Sequence, residues 1–309
     1  MPEKEAGERE KKPEKPLPNP FTELIAEEKG EGKQDNGSTK SAGPFQKLAE
    51  IQERSQEGRA QKEGGTSLQG KAGELFGAGK YLESIEVIDK VIAANPGNGD
   101  AWFARGMALL KLGRIEEAFT SLENAVELTP ENAQAWYSLA QLLYHAQRLG
   151  EAIEAYKKAL ERGIDNAEIR GDLGVALSSA GRFKEAIPEY AKSLRLDRDN
   201  KSIWYMAGVT LLASCDLEQA LKAFDQAIRI DPNFPGPHCK KGAILFSLCR
   251  HQEALDCLNT ALRLYPEYGE AWYRKGQVVS AMVENGLLGP EHAAEADNCF
   301  RKAAEFGHS

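Results

Sequence analysis

From residue 65 onward the apolar and polar positions follow a helical rhythm, and the whole pattern begins again every 34 residues. Within one stretch, Trp102, Arg105, Gly106 and Leu109 fall at i, i+3, i+4 and i+7, which is one face of a helix. A second amphipathic stretch follows, with Ala118, Leu122 and Ala125 on its inner face. Small residues recur in register: Ala72, Gly106, Ala140, Gly174, Gly208, Gly242 and Gly276 form one series. Ser84, Ala118, Ala152, Ala186, Ala220 and Ala254 form a second, and Val91, Ala125, Ala159, Ser193, Ala227 and Ala261 a third. Small side chains where two helices cross let their axes approach, and a large neighbour fills the space beside them. Trp102, Trp136, Trp204 and Trp272 all occupy the same place in the period.

The punctuation agrees with this reading. Asn98, Asn132, Asn166 and Asn200 precede the first helix of a copy, where a side-chain oxygen caps free backbone N–H groups. Gly79, Gly113 and Gly181 follow it, where a left-handed residue is wanted. Pro96, Pro130, Pro232 and Pro266 stop the second helix. Each copy therefore reads as helix, turn, helix. One such hairpin cannot bury its apolar face alone, so neighbouring copies must stack into a continuous core.

These residues resemble the tetratricopeptide repeat family, over residues 65 to 309. Trp136, Leu139, Ala140, Leu143, Ala152, Tyr156 and Ala159 follow the family pattern, with Ile164 where proline is usual. Trp204, Gly208, Leu211, Ala220, Phe224, Ala227 and Pro232 follow it as well. The resemblance implies an all-α fold, an α-solenoid of seven helix-turn-helix repeats forming a right-handed superhelix. The copies are bounded at 65–98, 99–132, 133–166, 167–200, 201–234, 235–268 and 269–309. Arg170 and His238 replace the tryptophan in the fourth and sixth copies. Pro188 falls inside a second helix, where it should remove one backbone bond and tilt the chain. The seventh copy carries about eight extra residues around Asn285 to Pro290.

The resemblance further implies a concave groove lined by the first helices, in which a protein or peptide partner binds. The groove stripe lies a quarter-turn from the tryptophan face. It comprises Phe103, Met107 and Leu110, then Tyr137, Gln141 and Tyr144, then Tyr205, Val209 and Leu212, and finally Phe246 and Tyr273. Gly73, Gly171 and Ser178 contribute little from the first and fourth copies. The expected ligand is an apolar or amphipathic segment. Lys240 and Arg274 form a small basic spot able to meet an acidic residue. Some relatives are co-chaperones that grip a C-terminal carboxylate with Lys and Asn. The matching places here hold Phe103, Met107, Gln134, Ser138 and Glu168, which departs from that constellation.

Residues 1 to 64 differ in kind. They hold 12 basic and 14 acidic residues with few apolar ones, a composition that buries too little surface to offset the entropy of ordering. Disorder is expected, with a short helix near 45–60. Two apolar patches, Phe21-Leu24-Ile25 and Phe45-Leu48-Ile51, have the character that the groove would accept, so the tail is a candidate internal competitor for it.

Composition mainly excludes. A net charge of -8 gives no basic excess with which to displace counterions from nucleic acid. No apolar run reaches the roughly 18 residues needed to span a bilayer, and the charged N-terminus lacks the core of a secretory signal. A cytoplasmic protein is expected. The five cysteines, Cys215, Cys239, Cys249, Cys257 and Cys299, include no CxxC pair and suit a reducing compartment. Cys215 and Cys249 take the turn place that glycine fills elsewhere. No phosphate loop, HExxH or Gly-x-Ser-x-Gly elbow is present, so neither catalysis, metal nor cofactor is expected. The last copy leaves two readings open. Its apolar edge could pair with a second chain in a homodimer, or Glu295, Asp297, Arg301 and Lys302 could make the final helix polar enough to end the stack.

Overall fold

The computed structural model of the chain describes Phe21 and residues 68–308. The expected disorder of the tail and its short helix near 45–60 lie outside the described residues, apart from Phe21. Fourteen α-helices and one short 3-10 turn make up the described part, with no strand among these residues. They pair in order. The first pairs are α1 (Leu68–Gly77) with α2 (Tyr81–Ala94) and α3 (Gly99–Lys111) with α4 (Ile115–Leu128). Next come α5 (Ala133–His145) with α6 (Leu149–Glu161) and α7 (Ala167–Ser179) with α8 (Phe183–Leu196). After them stand α9 (Lys201–Ala213) with α10 (Leu217–Ile230) and α11 (Pro235–Ser247) with α12 (His251–Leu264). The last pair is α13 (Gly269–Glu284) with α14 (Ala293–Glu305). Each helix packs on its pair-mate and on the next pair, the arrangement of an α-solenoid.

Local chemistry explains the boundaries. Asn98, Asn132, Asn166 and Asn200 each accept the backbone N–H three residues on, at 3.1, 3.0, 3.0 and 3.1 Å. The turns within pairs need a positive φ, supplied by Gly79, Gly113 and Gly181. In three other pairs the same place is held by Gln147, Cys215 and Cys249, at φ of 60°, 63° and 58°. Both turn cysteines are exposed there. The tryptophans act as braces between pairs. The indole N–H groups of Trp102, Trp136 and Trp272 donate to Pro96, Pro130 and Pro266 oxygens, and that of Trp204 to Arg198 oxygen. His238 reaches Pro232 oxygen from the same place through Nε2. Arg170 does something different, bonding Asp165 at 2.7 Å and Glu189 at 2.8 Å. Its guanidinium holds the Asp165 carboxyl below the usual range.

The small-residue series marks the crossings. A Cβ at Gly208 would stand 2.6 Å from the ring of Phe224, so α9 and α10 touch through that missing side chain. Phe224, Tyr156, Tyr190, Leu122 and Ile153 fill the core between layers, each 2% exposed or less. Pro188 lies inside α8, which runs unbroken across it. One expectation changes in detail. The insertion is partly absorbed by α13, which has 16 residues where other first helices have 13, before a 3-10 turn at Pro290–His292.

Candidate functional site, a groove along the first helices

The residues expected to line the groove sit on α3, α5, α9, α11 and α13, one stripe on successive first helices. The structure sorts them by exposure. Met107, Leu110, Gln141, Tyr144, Tyr205, Val209, Leu212, Phe246 and Tyr273 are half-buried. Phe103 and Tyr137, by contrast, are 3% and 7% exposed and belong to the core. Burial places them among the supports beneath the stripe and not on its surface, Tyr137 being held there by its bond to Asp172 on the next first helix.

A polar network crosses the middle of this stripe. The Tyr137 hydroxyl donates to Asp172 at 2.8 Å, linking α5 to α7. Gln141 donates to the Tyr137 oxygen at 2.9 Å and to Asp172 at 3.4 Å. Burial, followed by the nearby Asp172 carboxylate, raises the Tyr137 pKa well above the ordinary phenol value. The Tyr144 hydroxyl lies 3.3 Å from that of Ser179, and Ser178 lies 2.8 Å from Thr210. Asp172 escaped the sequence reading because it stands next to the stripe rather than on it. It enters the site only through a tyrosine of the preceding pair.

On either side of this network the stripe is apolar. Tyr205 packs against Phe224 and Phe234, and Tyr273 against Phe300 and His308. The basic spot is largely cancelled. Lys240 bonds Glu270 at 2.7 Å, and Arg274 approaches the same carboxylate at 4.0 Å. A lone acidic residue of a partner would therefore compete with Glu270 for both cations.

Of the tail patches expected to enter the groove, only Phe21 is described. Its ring lies 5.9 Å from that of Trp204, which belongs to the tryptophan series and not to the groove stripe. Leu24, Ile25 and Phe45-Leu48-Ile51 lie outside the described residues.

Reactive groups are few. Burial pushes the Cys239 thiol up to about 12, and raises those of Cys257 and Cys299. Such thiols are poor nucleophiles at neutral pH. Among the described residues, no group of three or more His, Cys, Asp or Glu could hold a metal ion. No described helix is long and apolar enough to cross a membrane.

Comparison with known proteins agrees with this fold. Two family models described as tetratricopeptide repeat match the sequence. One matches residues 75–142 and 177–238, the other residues 120–167 and 240–279. Together they cover well over half of the chain. No curated protein sequence matches it. Among solved structures, the C-terminal part of a TPR repeat-containing protein from Cytophaga hutchinsonii superposes with a TM-score of 0.62 at 16% identity, over 77% of this chain and 99% of that one. YrrB, described as a TPR protein with an unusual peptide-binding site, gives 0.57 at 22% identity, over 62% and 98%. Pseudomonas aeruginosa pilF gives 0.54 at 20%, over 67% and 96%. At these identities the likeness is one of fold.

Proposed function

Because the chain belongs to the tetratricopeptide repeat family, we propose that it is a non-enzymatic scaffold that binds an apolar or amphipathic segment of a partner protein along its first helices. Proteins built from these repeats generally serve as interaction modules. The observation that carries the reading is the half-buried stripe of Met107, Leu110, Tyr144, Tyr205, Val209 and Leu212, which leaves apolar surface at the protein's exterior on one face. The peptide-binding site ascribed to YrrB lends support through the shared fold alone.

The polar network adds a constraint on the ligand. Apolar contacts are offered on α3 and α9, whereas Gln141 and Asp172 lie between them. A fitting segment is apolar at both ends and carries an N–H donor or a cation in the middle, where a charge-assisted bond to Asp172 would fix its register. Each well-covered apolar side chain contributes about 1.5–3 kcal/mol, less the cost of ordering the ligand, which suggests affinity of about micromolar order. A cytoplasmic setting belongs to the same reading, supported by five cysteines that are all free thiols.

The test is affinity capture from native lysate with Met107→Glu/Val209→Glu as the paired control. Loss of the captured partner with unchanged circular dichroism is the expected outcome. Equal capture by the double variant rejects the groove as the site.

A further inference from the structure

The contact between Phe21 and Trp204 joins residues 183 positions apart and lies on a different surface from the groove. That surface is seen open two pairs earlier. Beside Trp136 a crease of about 340 Å³ runs between α4 and α6, lined by Phe119, Glu123, Arg148, Glu151 and Lys158 among others. Trp204 stands 68 residues on, at the same place in the period, and its indole makes the same bond to the carbonyl six residues before it. The equivalent crease in the fifth pair therefore lies between α8 and α10.

Three places there are covered, and four charged places are changed. Trp204 is 1% exposed, whereas Trp102, Trp136 and Trp272 are half-buried. Gln219 is 9% exposed, whereas Glu117, Glu151, Glu185 and Glu253 at its place are exposed. Ala191 is fully buried where Glu123 is half-buried. Elsewhere the rim carries an Arg–Glu ion pair, as in Arg114–Glu117, Arg148–Glu151, Arg182–Glu185 and Arg250–Glu253. In the fifth pair those places are Asp216 and Gln219. A lysine lies over the indole at 4.1 Å in Lys158–Trp136 and 4.2 Å in Lys302–Trp272, and its place beside Trp204 is Gln226. A cation on an indole face excludes an aromatic ligand from the same face. Exchanging it for glutamine, and thinning the charged rim, leaves an apolar seat suited to a phenyl ring, and Phe21 is the ring found there at an interplanar angle of 54°.

We propose that the crease beside Trp204 is a specific peptide-docking site, separate from the concave groove, whose resident ligand is the chain's own segment about Phe21. The seat is selective because only the fifth pair loses both the Arg–Glu rim and the lysine: the second and sixth, with Asn124 and Thr260 at the lysine's place, keep Arg114–Glu117 and Arg250–Glu253. The segment about Phe21 then leaves the groove open to a partner instead of competing for it.

The test uses the full chain and a fluorescent synthetic peptide of residues 16–30, read by anisotropy. The Phe21→Ala protein should bind this peptide, and the natural protein should bind it roughly tenfold or more weakly, because its own segment occupies the seat at high effective concentration. A peptide with Phe21→Ala should not bind. Adding Asp216→Arg, Gln219→Glu and Gln226→Lys to the Phe21→Ala protein should abolish binding. These are the residues of the third pair at the same places, so the fold tolerates them, and circular dichroism checks that it does. Equal binding by natural and Phe21→Ala proteins, no binding by the latter, or binding that survives the triple change would each overturn the proposal. Sedimentation decides whose segment is resident. A dimer that dissociates on Phe21→Ala would place a second copy's segment in the seat and overturn the intramolecular assignment.

Discussion

Tyr137 on α5 donates its hydroxyl to Asp172 on α7, 2.8 Å away, and thereby ties the third helix pair to the fourth beneath the half-buried stripe. Removing that oxygen with Tyr137→Phe should cost about 1 kcal/mol of stability, the net worth of one such bond. The raised pKa of Tyr137 fixes the sign of its pH dependence. The neutral phenol is favoured in the fold, so its contribution is fully present below the unfolded value of about 10 and is lost as pH rises above it. Chemical denaturation of both proteins from pH 7 to 11 should therefore show their difference narrowing, then reversing, at the alkaline end. A constant difference across that range would contradict this account.

Cys249 holds a backbone conformation, φ 58°, that costs a residue with a Cβ about 1–2 kcal/mol. Cys249→Gly should consequently stabilise the protein by about 1 kcal/mol, since glycine fills this turn in four other pairs, at Gly79, Gly113, Gly181 and Gly286, without such strain. Urea unfolding monitored by helicity measures it, and a lower midpoint for the variant would be the wrong sign.

Gly208→Ala tests the crossing of α9 and α10. Its new methyl would meet Phe224 ring atoms at 2.6 to 2.9 Å, and a core ring has little room to withdraw. A loss of about 1–3 kcal/mol is expected, with the native far-ultraviolet spectrum retained at low temperature. A thermal midpoint equal to the natural protein's would show that the helices can simply slide apart.

His238 takes the tryptophan place in the sixth pair and bonds Pro232 oxygen at 3.2 Å. Burial, the largest influence, lowers its pKa. The neutral ring is thus favoured in the fold, and the stability this contributes is present above the unfolded value of about 6.5 and is lost as pH falls below it. His238→Trp should remove that acid sensitivity while keeping the N–H donor. Denaturation midpoints at pH 8 and pH 5 should lie closer together in the variant, and an unchanged gap would assign the sensitivity to other groups.

The amino-acid sequence by itself determined the helix pairs, their caps and turns, and the bracing tryptophans. Every one of those features depends on contacts within a pair or with the next pair, so it recurs at the period and shows itself by recurrence. Asn98 and Gly113 could be assigned their roles from position alone, and so could Cys215 in its glycine place. The tertiary structure decided what the period does not encode. Phe103 and Tyr137 share the groove spacing with Tyr144, yet they are buried in the core whereas Tyr144 is half-buried, a difference set by packing between pairs. Glu270 neutralises Lys240 across thirty positions, and Asp172 joins the site through a tyrosine of another pair. The seat of Phe21 on Trp204 lay furthest from view. Residues 183 positions apart follow no period, and only the stacking of four intervening helix pairs sets the distance between them.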